Sequence, residues 1–390
     1  PHRTAPQACA LPLRGALAPE GEALYGARYD PAQGITVTAG GTQAIFTAIA
    51  ALVRPGDEVI LFEPAYDSYA PSVALNGGTA VRARLRFADY RPDWAEVHRL
   101  FGPRTRMIVV NTPHNPSGAV WSEADVRSLA ALVEGTDAVV LADEVYEHLV
   151  FDGRRHESCA RHPDLAARSF VVSSFGKTYH VTGWKVGYVL APRELMLEFR
   201  RAHQFIVFTV NTPVQLALAE WLADAGRYLE LAAFYQRKRD LFREGLAATR
   251  LRLLPCSGTY FQLASYAGLT AEPDAPLAER LTREAGVASI PVSAFYEAPP
   301  GDPVLRFCFA KHDDTLARAC EALAKVRLAL KEPKKAAAHF LAAGGAAFGR
   351  NDRRAGRRAY KQGLQADEKK PKARERLQEI EAGEGPDRPG

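Results

Sequence analysis

The sequence predicts an α/β fold: a large domain on a mainly parallel sheet, a smaller α+β domain, and a helical C-terminal appendage. Apolar runs around Val59, Met107, Val139, Phe170 and Val186 alternate with stretches of helical spacing, the pattern of strands joined by crossover helices. The runs end in polar or Pro-, Gly- and Asn-rich breaks, and in parallel sheets ligands collect at the carboxyl ends of strands. With 390 residues, 47% hydrophobic and 24% charged, the chain can bury more than one core. The expected boundaries are 1–30 for an N-terminal segment, 31–225 for the large domain, 226–330 for the small domain and 331–390 for the appendage.

Residues 1–21 show neither alternation nor helical spacing. From Ile35 the chain reads as a short strand, a glycine turn and a helix with apolar residues at Ile45, Ile49 and Leu52. Glycines before a helix let backbone N–H groups approach an anion, so Gly41 and Thr42 are candidates to cradle a phosphate; a plain helix entry is the competing reading. A buried-type strand follows at Val59, and Pro64 opens a loop carrying Tyr66. An aromatic at such a strand end can stack on a flat heteroaromatic ring or simply pack.

Met107-Ile-Val-Val runs into Asn-Thr-Pro-His-Asn-Pro-Ser-Gly, where the Asn115 amide can donate and accept at once or serve an Asn-Pro turn. His114 reads as a bystander. The next strand ends on Asp143 in Asp-Glu-Val-Tyr146. A carboxylate there could hold a proton on a pyridine nitrogen. Glu144 and Glu147 read as helix-start or surface acids.

Phe170-Val-Val breaks at Ser173-Ser-Phe-Gly-Lys-Thr before a second apolar run, Val186 to Leu190, which reads as strand, loop, strand. Lys177, flanked by hydroxyls and a second basic residue, could form an imine with an aldehyde cofactor. Gly176-Lys177-Thr178 does not end a P-loop, because Val171 stands where that motif needs glycine. Beyond Pro192 come amphipathic helices, then a long helix from Leu229 to Ala248. Strand candidates follow at Leu251–Leu254, from Thr259 and from Val304. On the last, Arg306 points opposite to Leu305 and Phe307, suited either to two parallel hydrogen bonds with a carboxylate or to a structural ion pair.

Taken together, Thr38-Ala-Gly-Gly-Thr-Gln-Ala, Asn115-Pro-Ser-Gly, Asp143-Glu-Val-Tyr and Ser174-Phe-Gly-Lys resemble the fold-type-I pyridoxal-phosphate aminotransferases of class I/II. The likeness runs from about Glu22 to about Val326 and is nearest the methionine, glutamine and kynurenine aminotransferase branch. It implies that Lys177 bonds pyridoxal 5'-phosphate and that Asp143 meets its ring nitrogen. Asn115 and Tyr146 reach the phenolic oxygen, and Tyr66 covers the ring. Gly41, Thr42, Ser174 and Lys185 hold the phosphate, while Arg306 and Asn115 bind the substrate carboxylate. The implied reaction moves the amino group of methionine, glutamine or an aromatic amino acid to a 2-oxo acid, in a homodimer with its site at the subunit interface. A cysteine-conjugate β-lyase and a non-catalytic cofactor-binding or interaction protein are the alternatives. Against this family the chain is expected to be shortened at its N-terminus, lacking a glycine-rich arm and a tyrosine near the position of Thr4.

The five cysteines form no CxxC pair and no zinc-like cluster with histidine. No run of eighteen apolar residues and no charged-then-apolar leader is seen, so the expected address is the cytoplasm, away from membranes. Residues 331–390 carry 15 Lys/Arg against 9 Asp/Glu, a net of +6; the whole-chain +5 leaves the first 330 residues at −1. The basic character thus belongs to the tail. Its Phe340, Gly344, Ala347, Gly356, Tyr360 and Gly363 are spaced like a single tetratricopeptide unit, which implies a protein partner more than nucleic acid.

Overall fold

A computed structural model describes residues 9–247, 249–329 and Lys361. Apart from Lys361, residues 331–390, where a tetratricopeptide-like appendage is expected, fall outside the described residues, as does the position of Thr4. The chain divides into two units at Phe234–Tyr235, and two later segments, Pro255–Thr259 and Phe295–Ala298, belong to the first.

The first unit is built on seven strands: β1 Ile35–Thr38, β2 Glu58–Glu63, β3 Thr79–Arg84, β4 Thr105–Asn111, β5 Val139–Asp143, β6 Ser169–Ser174 and β7 Gly187–Leu190. They lie in the order β1-β7-β6-β5-β4-β2-β3. The five strands from β3 to β6 are parallel; β7 runs antiparallel to β6, and β1 antiparallel to β7. Val139 to Asp143 are buried throughout, as a central strand covered on both faces requires. The helix Gly41–Leu52 turns Ala44, Ile45, Ala48 and Ile49 onto Val59, Leu61, Met107, Val109, Leu141, Phe170 and Val172. Each buried isoleucine, leucine, valine, methionine or phenylalanine side chain stabilises this packing by about 1.5–3 kcal/mol. In register, Asn111 faces Asp143, which brings the ends of β4 and β5 level.

Three local expectations change. Residues Leu11–Tyr25 form a helix that buries Leu13, Leu17 and Tyr25 and ends at Gly26 in the left-handed region, φ 70°. Gly15, Pro19 and Gly21 inside it hide the helical signal. The edge strand β3, which gave no apolar run, is read only from its pairing with β2, because only one of its six residues is fully buried. Lys177 lies on a one-turn helix, Phe175–Thr178, rather than in an open loop.

The second unit carries an antiparallel sheet of β8 Arg252–Leu253, β9 Phe261–Ser265, β10 Ile290–Pro291 and β11 Val304–Cys308, ordered β10-β11-β9-β8. The helices Asp274–Ala285 and Asp313–Ala329 accompany it. Leu305 and Phe307 are buried while Arg306 is half-buried, with its guanidinium carbon 4.0 Å from the centroid of the Phe261 ring.

Candidate active site

The carboxyl ends of β4, β5 and β6 open onto one cleft, closed on one side by the amino end of the helix Gly41–Leu52. Gly41, Thr42, Tyr66, Asn115, Asp143, Tyr146, Ser174, Lys177 and Lys185 all line it. Arg306 belongs to the second unit.

Asp143, at the end of β5, is buried and accepts a hydrogen bond from the Tyr69 hydroxyl. Burial pushes its pKa up to about 6, against the lowering effects of the Tyr69 bond, the Val145 N–H and the Lys177 charge. Tyr69 is itself pushed well up by burial and by the Asp143 charge, so its hydroxyl keeps its proton and donates. The Asn111 amide donates to the Asp143 carbonyl at 2.9 Å, and its Oδ1 accepts from the Asn115 N–H at 2.8 Å. One side chain thereby ties β5 to the Asn-Pro loop. Neither Tyr69 nor Asn111 stands in a motif; their only signal in the sequence is a polar group three residues after Tyr66 and another closing an apolar strand.

Lys177 Nζ lies 5.6 Å from the centroid of the buried Tyr146 ring. The Tyr66 hydroxyl sits 3.5 Å from Thr42 Oγ1, and its ring meets Tyr69 edge-on at 5.6 Å. Thr42 does not cap its helix; Gly40 occupies that position at φ 83°. His114 is buried between Pro64 O and Ser117 Oγ, and burial lowers its pKa to about 4, so it is a neutral packing group.

At the other end of the cleft, the structure makes room for an anion. Gly187 pairs with both Thr38 and Ser174, and a Cβ on it would fall 2.6 Å from Ser173 O and 3.1 Å from Gly41 N. Only glycine lets the Gly40–Gly41 turn approach β6 this closely. A Cβ on Gly40 would lie 3.7 Å from Lys185 Nζ, which puts the ammonium beside the same turn. Lys185 holds φ at 53°, a left-handed conformation that is unusual for a lysine and is found where surroundings enforce it. An ammonium, the Ser174 hydroxyl and the positive end of a twelve-residue helix suit a phosphate dianion. With a lysine amine and a buried carboxylate nearby, the residues present fit pyridoxal phosphate.

Glu144 and Glu147 are buried, contrary to expectation. No helix starts directly after β5; Glu147 N–H bonds Glu144 O and Leu149 N–H bonds Tyr146 O, both at 2.8 Å, so the chain turns back on itself. Glu144 meets His156 Nε2 at 2.8 Å and accepts from the Cys159 N–H at 2.9 Å.

Residues 3–323 match the family described as Aminotransferase class I and II, which is most of the chain. The chain is a class I/II aminotransferase. It is 48% identical over 320 residues to the methionine aminotransferase of Escherichia coli, covering 82% of this chain and 83% of that protein. It is 35% identical over 347 residues to kynurenine–oxoglutarate transaminase 1 of Rattus norvegicus, covering 80% and 82%. Among solved structures, an Escherichia coli protein with methionine aminotransferase function superposes with a TM-score of 0.81 at 48% identity, over 82% of this chain and 85% of that one. The N-succinyldiaminopimelate aminotransferase of Mycobacterium tuberculosis superposes with a TM-score of 0.79 at 37% identity, over 83% and 85%. The aminotransferase uses pyridoxal phosphate, as its class does, and takes amino acid and 2-oxo acid substrates. These relatives favour neither the β-lyase nor the non-catalytic alternative. Among its described residues, no helix is long and apolar enough to cross a membrane.

Proposed function

We propose that this aminotransferase moves the amino group of methionine, glutamine or an aromatic amino acid to a 2-oxo acid, with Lys177 as its catalytic residue. The observation that carries this reading is the meeting, in one cleft, of the Lys177 amine, the buried Asp143 carboxylate and the Gly41–Lys185 anion cradle. The 48% identity to a methionine aminotransferase supports the choice of donor.

When bound, pyridoxal phosphate supplies a ring that accepts the electron pair left at the substrate α-carbon. The chain's own residues do the rest. Gly41, Thr42, Ser174 and Lys185 hold the phosphate through N–H, hydroxyl and ammonium donors. Asp143, positioned by Tyr69 and Asn111, keeps a proton on the pyridine nitrogen. Asn115 and Tyr146 donate to the phenolic oxygen, and Tyr66 covers the ring. Arg306 and Asn115 bind the α-carboxylate, which orients the α-hydrogen toward Lys177. Lys177 Nζ then takes that proton as a base and returns it as an acid.

The enzyme is a cytoplasmic homodimer in this reading, and its basic tail serves a protein partner. Trp184, Phe205 and Phe208 are exposed, with Phe205 at 86%, which supports coverage by a second subunit. Steady-state assays with methionine, glutamine and phenylalanine as donors and a 2-oxo acid as acceptor test the assignment. Consumption of the acceptor in step with the donor supports it. Pyruvate released from a cysteine conjugate without any acceptor consumed would favour the lyase.

A further inference from the structure

Glu147 follows Tyr146 in the turn after β5 and is buried, its side chain 3% exposed. Three hydroxyl groups converge on it. Ser173 and Tyr188 donate to Oε1, the latter at 3.0 Å, and Tyr25 donates to Oε2. These donors come from β6, β7 and the helix Leu11–Tyr25. His148 Nε2 stands 3.8 Å from the same Oε1, but burial lowers its pKa, so the hydroxyls rather than a cation satisfy the carboxylate.

Each link leads to the cofactor cleft. Ser173 precedes Ser174 on a strand where successive side chains face opposite ways, so one takes Glu147 while the other lines the cleft. Tyr188 follows Gly187, the residue whose bare Cα admits the Gly40–Gly41 turn. Tyr146 lines the cleft beside Lys177. Hydrogen bonds to an ionised acceptor are shorter and stronger than neutral ones, and in a buried site they fix the atoms at both ends.

We infer that Glu147 is a positioning residue, a buried acceptor that clamps the turn bearing Tyr146 to the strand ends bearing Ser174 and Gly187. The inference rests on the proposed roles of Tyr146 and Ser174 toward the cofactor. Removing the acceptor leaves three buried hydroxyls unmatched, and the turn and strands lose their common anchor.

The test uses the holoenzyme and its visible absorbance, titrated with pH, for the parent, Tyr146→Phe, Glu147→Gln, Glu147→Ala and Tyr146→Phe/Glu147→Ala. A hydroxyl donor to the phenolic oxygen stabilises its anionic form, so Tyr146→Phe raises the midpoint by about one unit. Glu147→Ala shifts it the same way and weakens pyridoxal phosphate binding about tenfold. Glu147→Gln, which keeps the shape and one acceptor oxygen, lies between it and the parent. The double variant shifts no further than Tyr146→Phe alone. Unchanged midpoint and cofactor affinity in both Glu147 variants, with Tyr146→Phe shifted, would overturn the inference and leave the site assignment standing. Additive shifts in the double variant would overturn it too, because Glu147 would then act independently of Tyr146. No shift in Tyr146→Phe itself would remove the assignment of Tyr146 and the inference with it. If Glu147→Ala does not fold, Glu147→Gln carries the comparison.

Discussion

Replacing Tyr69 by phenylalanine removes one hydroxyl and keeps the ring that meets Tyr66 at 5.6 Å. That hydroxyl is the largest influence lowering the Asp143 pKa against burial, and with both acting the carboxyl stands at about 6. A hydrogen bond to a charged group contributes about 1.5–3 kcal/mol, or about one to two pKa units. The bond favours the ionised form, so its loss raises Asp143 from about 6 to roughly 7–8 in the apoprotein. At pH 7 the ionised share then falls from roughly nine-tenths to between about a half and a tenth. With ionised Asp143 in its proposed role against a protonated pyridine nitrogen, the variant apoprotein should bind pyridoxal phosphate about two- to tenfold more weakly at pH 7. The ratio of dissociation constants, variant over parent, approaches one near pH 9 and widens on acidification. Measuring that ratio across pH also cancels the ionisation of the cofactor phosphate, which both proteins share. A ratio that stays flat from pH 6 to pH 9 would refute the coupling between Tyr69 and Asp143.

Asp143→Asn should abolish amino transfer yet stabilise the apoprotein. The folded carboxyl titrates at about 6 rather than 3.8, so stability is lost as pH rises through that interval; the variant gains about 2–3 kcal/mol at pH 7 and nothing below pH 4, measured by denaturant titration. Gly187→Ala forces a Cβ to 2.6 Å from Ser173 O and should destabilise the protein by about 1–3 kcal/mol while weakening cofactor binding, read by thermal melts and cofactor titration. Lys185→Ala should raise the pyridoxal phosphate dissociation constant by about tenfold or more and leave KM for the amino acid nearly unchanged. Arg306→Lys should do the reverse, raising KM for both amino acid and 2-oxo acid about tenfold with an unaltered cofactor spectrum, because an ammonium cannot make the paired contact of a guanidinium.

Much of the site was legible because its residues stand in short motifs at strand ends. Asp143 closes β5, Ser174 closes β6, and Gly41 begins a helix, so the parallel topology collects them without any long-range knowledge. The half-burial of Arg306 between buried Leu305 and Phe307 on the second unit's sheet matches the alternation its strand shows in sequence. The supporting contacts were not legible. Tyr69 reaches Asp143 across 74 positions and Tyr25 reaches Glu147 across 122, and no local pattern announces such pairs. For the same reason Glu144 and Glu147 looked like solvated acids, although their partners lie inside the fold. The helix Leu11–Tyr25 and the edge strand β3 escaped detection because glycine, proline and arginine interrupt their apolar periodicity; tertiary packing and pairing override weak local preference there.

The most direct test of Lys177 as the residue that carries the reaction is the absorbance spectrum of the purified protein with pyridoxal phosphate, before and after methionine, beside Lys177→Ala. The parent should show a visible band that converts on adding methionine to the amine form of the cofactor, with no such band or conversion in Lys177→Ala. A parent without the band, or a Lys177→Ala protein that forms and converts it equally well, would contradict the assignment of Lys177 as the residue that carries the reaction.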